Sequence, residues 1–234
     1  MSAPLRVLRS AVLLAAGLVH PADLLGQQVT GRVVVAAPRS SVRLGGAPER
    51  LDGLWVGGAL DVRVGRFTVS GNGTRGRLTP DDARTVLERE GGEMSLSGRF
   101  DVRPWLALEL RYTARALSSA AGRQRWDLVA FGASASRELG TPTVRAFAGF
   151  AFLPVVQVSG QLHPTSARSG EVGLSLTLER VPITLLLGYR VERFAFPVSR
   201  VSPITTRSEQ FEAFTLSVGV RVRRLDGRWT FGGR

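Results

Sequence analysis

The sequence predicts an all-β chain folded as a closed antiparallel up-and-down transmembrane β-barrel of about ten strands, and three observations carry that prediction. Apolar and polar residues alternate with a period of two in runs of about ten, which is the rhythm of strands that have lipid on one side and a polar interior on the other. The connections between runs are alternately very short and long. Past the N-terminus, no segment supplies the roughly 18 uninterrupted apolar residues that a transmembrane helix needs. The stretch from Leu54 to Val64 shows the pattern well. Leu54, Val56, Leu60, Val62 and Val64 share one face, with Trp55, Gly57, Ala59, Asp61 and Arg63 on the other.

The 234 residues suit one domain. Arg6 and Arg9, an apolar run from Ala11 to Val19 and a polar exit at Gly26, Gln27 and Gln28 read as an exported chain's signal peptide over residues 1–26. Cleavage is expected after Gly26, with Ala22 the competing site. The barrel then covers 27–224, and 225–234 is a short C-terminal tail.

Turns are placed by phase. The apolar residues fall on even numbers up to Val64 and on odd numbers from Phe67 to Val69, so Gly65-Arg66 is a two-residue hairpin tip. A second flip at Glu179-Arg180 separates Val172, Leu174, Leu176 and Leu178 from Val181, Ile183, Leu185, Leu187 and Tyr189. Pro and Gly mark two further short turns, at Val102-Arg103-Pro104 and Leu139-Gly140-Thr141-Pro142. Four longer polar stretches, 71–91, 118–124, 159–169 and 197–208, are expected as loops at the opposite end. Residues 29–37 supply the ascending partner that the strand at 53–64 needs, which gives an even count of ten. Eight strands remain the alternative, if 53–70 is one long strand and 29–37 stays outside.

Aromatic residues collect near expected strand ends. Trp105 follows a short turn, and Trp126, Phe194, Phe196 and Phe211 lie beside long connections, so the five are expected to form an aromatic girdle at the bilayer interfaces. Faces opposite the lipid carry both signs of charge: Asp61, Arg63, Arg99, Asp101, Glu109, Arg111, Arg115, Glu171, Glu192 and Arg221. In a barrel this narrow such groups fill the interior and must pair, because an unpaired buried charge is costly.

These features together, including a last strand at 209–224 where Phe214, Leu216, Val218, Val220 and Val222 share a face, make the chain resemble the bacterial outer-membrane β-barrel superfamily, at the small end of eight to ten strands. The resemblance implies residence in the bacterial outer membrane and a need for the barrel-assembly machinery. It departs at the C-terminus: such barrels often finish on an aromatic residue, whereas this chain continues past Arg224 to Trp229, Phe231 and Arg234.

The formal charge is +12, and removal of Arg6, Arg9 and Asp23 with the signal peptide leaves +11. Every cationic side chain is Arg, with no Lys, and the arginines are spread along the chain and not gathered into runs. That spread argues against nucleic acid and for anionic lipid headgroups at the rim, whose phosphates the planar Arg fork fits. Cysteine is absent, so thiolate metal sites and disulfides are excluded.

Catalytic patterns are missing. His163 is the single histidine after the signal peptide, and Ser166 and Glu171 are the residues nearest in sequence that could assist it. Neither the His-x-Ser spacing of outer-membrane deacylases nor the Asp-x-His spacing of omptin proteases occurs around it. Thr79, Pro80, Asp81 and Asp82 read as the start of a short loop helix running to about Arg89, not as a metal site. Asn72-Gly73-Thr74 reads as flexible loop. No phosphate loop or dinucleotide fingerprint occurs, and no catalytic, cofactor or metal residue is assigned. The reading is therefore a non-enzymatic barrel with a structural role or one of loop-mediated contact with unidentified proteins. Its alternatives are a narrow, porin-like ion path, an outer-membrane enzyme acting on lipid or peptide through His163, and a soluble lipocalin-like carrier with the apolar faces turned inward.

Overall fold

Ten strands succeed one another around a closed wall: β1 Gln28–Leu44, β2 Glu49–Val64, β3 Phe67–Pro80, β4 Arg89–Arg103, β5 Leu106–Ser119, β6 Gly122–Leu139, β7 Thr141–Val158, β8 Ser166–Thr177, β9 Ile183–Phe196 and β10 Arg207–Leu225. The computed structural model describes residues 27–44, 48–80, 88–120, 122–159, 163–178, 181–197, 207–225 and 228–231. Each strand pairs antiparallel with the next, and β1 pairs with β10 over its whole length, from Gln28↔Arg223 to Leu44↔Arg207, so no long edge is left open.

Residues 1–26, read as a signal peptide, lie outside the described residues. The eight-strand alternative is excluded, since Gly65 and Arg66 turn the chain and Val64 pairs with Phe67. Gly65 has φ 57° and Gly140 φ 71°, a left-handed backbone that glycine adopts without penalty, and both sit at the tips of short turns. Four residues of the expected tail, Arg228–Phe231, form a short strand β11 that folds back on β10; at Val222 the strand has Val29 on one side and Phe231 on the other.

The wall is apolar outside and polar inside. Val33, Leu54, Val56, Met94, Phe152 and Val172 point outward and are each more than half exposed, whereas their neighbours in the alternation turn into the barrel. This excludes the lipocalin-like arrangement, in which the apolar faces would line the interior. On β7 the phase resets between Phe152 and Val155, opposite Val129 and Phe131 of β6, where a β-bulge lets Val156 and Val158 enter the barrel although Phe150 and Phe152 face out.

Several connections are shorter than expected, because the strands run on past the apolar belt. Residues 71–80 belong to β3 and not to a loop: Asn72 pairs with Ala59 and Ser95, and Gly73 with Gly58 and Met94. Thr79 and Pro80 pair with Asp52 and Leu51, so they do not start a helix; Asp81 and Asp82 lie outside the described residues, and Arg89 opens β4. Likewise Ser118 and Ser119 end β5, Gly122 opens β6, Ser166 opens β8 and Arg207 opens β10. The physical reason is common to all. Beyond the bilayer the outward face has no need of apolar residues, so the alternation fades while the hydrogen-bonded ladder continues.

The belt makes two neighbouring substitutions unequal. Leu176 faces outward and Thr177 inward on β8. Leu176→Arg places a charge in the lipid-facing band, at a cost of about 2–4 kcal/mol near the midplane of a barrel, and is expected to reduce the folded, heat-modifiable fraction far more than Thr177→Arg. Gel mobility with and without boiling, after refolding into lipid vesicles, measures both.

Candidate functional site

Among the described residues, charged side chains from many strands converge in the interior of the barrel. Its short-turn end holds Asp61 and Arg63 of β2, Arg99 and Asp101 of β4 and Arg221 of β10. The Arg63 Nη2 donates to Asp101 at 2.9 Å, Arg99 Nε to the same carboxylate at 3.1 Å, and Arg32 of β1 to Asp61 at 2.7 Å. Arg221 donates to the Thr184 hydroxyl at 3.1 Å. Further along the axis Arg111 binds two carboxylates, Glu109 on its own strand at 2.7 Å and Glu171 of β8 at 2.9 Å.

Next comes a quartet that spans the lumen. Arg115 of β5 donates to Glu93 of β4 at 2.6 and 2.9 Å and to Glu192 of β9 at 2.7 Å. Arg190 of β9 reaches the other oxygen of Glu93 at 2.5 Å and lies 3.5 Å from Glu192. The Arg115 side chain is 2% exposed, and those of Glu93 and Glu192 are 6% and 4%. Buried charges survive there because each meets an opposite charge with directed hydrogen bonds. The Arg115 guanidinium also lies over the Phe211 ring, 3.5 Å from its centroid, within range of a cation–π contact.

Beyond the quartet, toward the long connections, the interior turns apolar. One cluster gathers Ala36, Leu51, Trp55, Leu78, Leu117, Phe211 and Ala213; a second gathers Trp126, Leu128, Leu153, Val156, Val158, Phe194 and Phe196. Trp55 is set against Phe211 with ring centroids 5.9 Å apart, and Trp126 against Phe194 at 4.9 Å. The Trp55 indole lies over Gly91, where an added Cβ would come within 2.6 Å of its ring, so glycine is what lets the indole lie against the wall.

These clusters correct the expected girdle. Trp126, Phe194, Phe196 and Phe211 are buried inside the barrel, and only Trp105 of the five is exposed, at 58%, in the short turn between β4 and β5. Alternation decides it: Phe214 and Leu216 of β10 face out, so Phe211 faces in, and Leu187 and Tyr189 of β9 face out, so Phe194 and Phe196 face in. All ten of the predicted interior charges lie on inward faces. Sequence reasoning missed Arg32, Glu93 and Arg190, which complete three of the pairs and were signalled by sharing the phase of Ala59, Ser97 and Glu192.

Between the quartet and the short-turn charges is a cavity of about 300 Å³, lined among others by Arg32, Trp55, Arg111, Glu171 and Arg190. Its chemistry is that of a polar filling. The carboxylates of Glu93, Glu171 and Glu192 accept from arginines, which leaves none of them as an available base. His163, ahead of β8, has Nδ1 3.0 Å from the Val156 carbonyl, while Glu171 is bound to Arg111 inside the barrel. His163 and Ser166 line one hollow beside Val156, and Glu171 is not gathered with them. No cluster of three or more metal-ligating side chains occurs among the described residues.

Comparison with known proteins places this geometry by its shape. No family model and no curated protein matches the chain. Solved structures similar to it include Neisserial surface protein A, at 15% identity and a TM-score of 0.40, covering 82% of this chain and 96% of that one. The translocator domain of the autotransporter NalP from Neisseria meningitidis is 15% identical, with a TM-score of 0.44 and coverage of 91% and 93%. The attachment invasion locus protein Ail of Yersinia pestis, solved with the heparin analogue sucrose octasulfate, is 10% identical, with a TM-score of 0.33 and coverage of 82% and 98%. Its own strand pairings make the chain a closed ten-stranded antiparallel up-and-down β-barrel, and these barrels are what it is similar to. At these identities the likeness is one of fold alone.

The quartet makes a stability prediction. Glu93→Ala leaves Arg115 and Arg190 with Glu192 as their one shared carboxylate and is expected to cost about 3–5 kcal/mol, as removal of one partner from a buried pair does. Arg39→Ala breaks the exposed Arg39–Asp52 pair on the outer wall and should cost less than about 1 kcal/mol. Reversible urea unfolding of the barrel from lipid vesicles separates the two.

Proposed function

We propose that the chain is a non-enzymatic integral protein of the bacterial outer membrane whose interior is closed by its own side chains, and whose role is exercised by its outer wall and long connections, as an envelope component or a contact surface for other proteins. The observation that carries this reading is the Glu93–Arg115–Glu192–Arg190 quartet with the aromatic clusters above it. Together they occupy the cross-section that a channel would need open. The outward apolar belt supports the membrane, since so large an apolar surface is not stable against water. Export by the signal peptide and assembly by the barrel-assembly machinery belong to the same reading.

A second reading, a narrow ion path, is favoured by the 300 Å³ polar cavity, which needs only an opening through the aromatic clusters to join both ends. Conductance decides between them. Wild-type protein in planar bilayers is expected to show no steady current, and the Trp55→Ala/Phe211→Ala double variant is expected to leak. Steady current through the wild type would establish the pore. The enzymatic alternative rests on His163, whose ring meets a main-chain carbonyl and no orienting carboxylate. His163→Ala is expected to leave folding and any lipid or peptide hydrolysis by the purified barrel unchanged; hydrolysis that disappears with the imidazole would overturn the non-enzymatic reading.

A further inference from the structure

The outward wall beyond the apolar belt is charged, and on five adjacent strands its charges are sorted. One hydrogen-bonded row runs Arg50 of β2, Ser41 of β1, Gln210 of β10, Arg193 of β9 and Arg168 of β8. By alternation from Leu54, Val35, Phe214, Leu187 and Val172, every member faces outward. The row beneath it, nearer the belt, holds the acids: Asp52 pairs with Arg39 at 2.5 Å, and Glu212 accepts from the Gln210 amide. The upper row holds three arginines and no acid, and Arg50, Arg168 and Arg193 form no ion pair with any described carboxylate.

Arg168 and Arg193 are moreover direct cross-strand partners. Like charges opposite one another on the same face repel, with Cβ atoms about 5 Å apart, and destabilise a sheet unless something between them is negative. The row itself supplies nothing negative; the nearest outward acids are Asp52 and Glu212 in the row beneath. The wall is concave there, with a hollow of about 530 Å³ whose outward lining includes Arg39, Arg43, Arg50, Arg168 and Arg193 against the single carboxylate of Glu212. The row stands two to four residues beyond Val191 and Val172, which at about 3.3 Å per residue and a tilt near 40° is roughly 5–10 Å beyond the belt along the bilayer normal. That is headgroup depth, and arginine side chains can reach down from slightly above it.

We propose that this row and hollow bind the phosphate of a bilayer lipid headgroup, with Arg168 and Arg193 as a forked clamp, Arg50 as the third cation and the Ser41 hydroxyl as a neutral donor. Planar guanidinium pairs suit phosphate oxygens in two-point contact. The proposal rests on the membrane reading of the fold and adds to it a particular patch of wall, away from the loops, and a particular ligand chemistry.

The test uses the full chain refolded into phosphatidylcholine vesicles that contain a minor fraction of a diphosphorylated lipid A, then extracted into mild detergent for native mass spectrometry. Wild type is expected to retain the phosphorylated lipid and not phosphatidylcholine. The R168Q/R193Q variant should lose about tenfold of that retention while staying heat-modifiable, a loss in keeping with charge-assisted contacts to phosphate. R75Q/R77Q, on outward arginines that already face Glu90 and Glu88 at 3.6 and 3.7 Å, should lose none. Unchanged retention in folded R168Q/R193Q, an equal loss in R75Q/R77Q, or complete displacement by inorganic phosphate would overturn the site. If wild type inserts and is heat-modifiable yet holds no phosphorylated lipid, the site alone fails. If wild type does not insert at all, the membrane reading fails, and the site with it.

Discussion

Everything in this fold depends on closure. A strand in lipid has no water to satisfy its amides and carbonyls, so each must bond to a neighbouring strand, and the seam between β1 and β10 removes what would otherwise be two unsatisfied edges. Closure then inverts the usual distribution of residues. The outside must be apolar where it meets lipid, and the inside, cut off from bulk solvent and too narrow to stay empty, takes the polar groups. Arg115 at 2% exposure and Met94 at 70% follow from the same constraint.

The interior is consistent with this in detail. Ten strands enclose a space that side chains can cross, so charges on β4 and β5 reach charges on β9 without an intervening solvent column. Because the carboxylates of Glu93 and Glu192 are buried, pairing is strongly favoured, and each takes two guanidinium groups. The apolar clusters toward the long connections then shield the quartet from water on that side. Charge and aromatic packing are joined at two residues: Phe211 packs against Trp55 and carries Arg115 on its face, and Phe196 packs against Trp126 and lies under Arg207.

Much of this could be read in the sequence, because a period of two is strict. The phase flip at Gly65 locates a turn, the flip at Glu179-Arg180 falls on residues outside the described ones, and the inward phase of Asp61, Glu109, Arg111 and Glu171 locates the interior. What escaped has physical causes. The girdle failed because Trp126, Phe194, Phe196 and Phe211 were placed by nearness to long connections, although phase already turned Phe194, Phe196 and Phe211 inward. Residues 71–80 passed for loop because Gly71, Gly73 and Gly76 carry no hydrophobic signal, yet β3 is held by backbone bonds that need none. Arg32 was overlooked although residues 29–37 were expected as a strand, because the run Val33-Val34-Val35 hides the alternation that would show its face. The bulge on β7 opposite Val129 and Phe131 cannot be foreseen from periodicity, since it is the point at which periodicity slips by one residue.

The absence of lysine becomes significant in the lumen. A guanidinium has five donors in one plane, so Arg115 can bond carboxylates on β4 and β9 while laying its flat face on Phe211, and Arg111 can bridge β5 and β8 in the same way. An ammonium, compact and strongly hydrated, could neutralise one carboxylate but would neither span two strands nor stack on an aromatic ring. The bridges tie strands that are far apart around the wall, which fixes the cross-section of the barrel as well as filling it. On the outer wall the same planar fork has different work. Arg168 and Arg193 stand side by side with no carboxylate to bridge, and the geometry that pairs two carboxylates inside is there open to the oxygens of a phosphate.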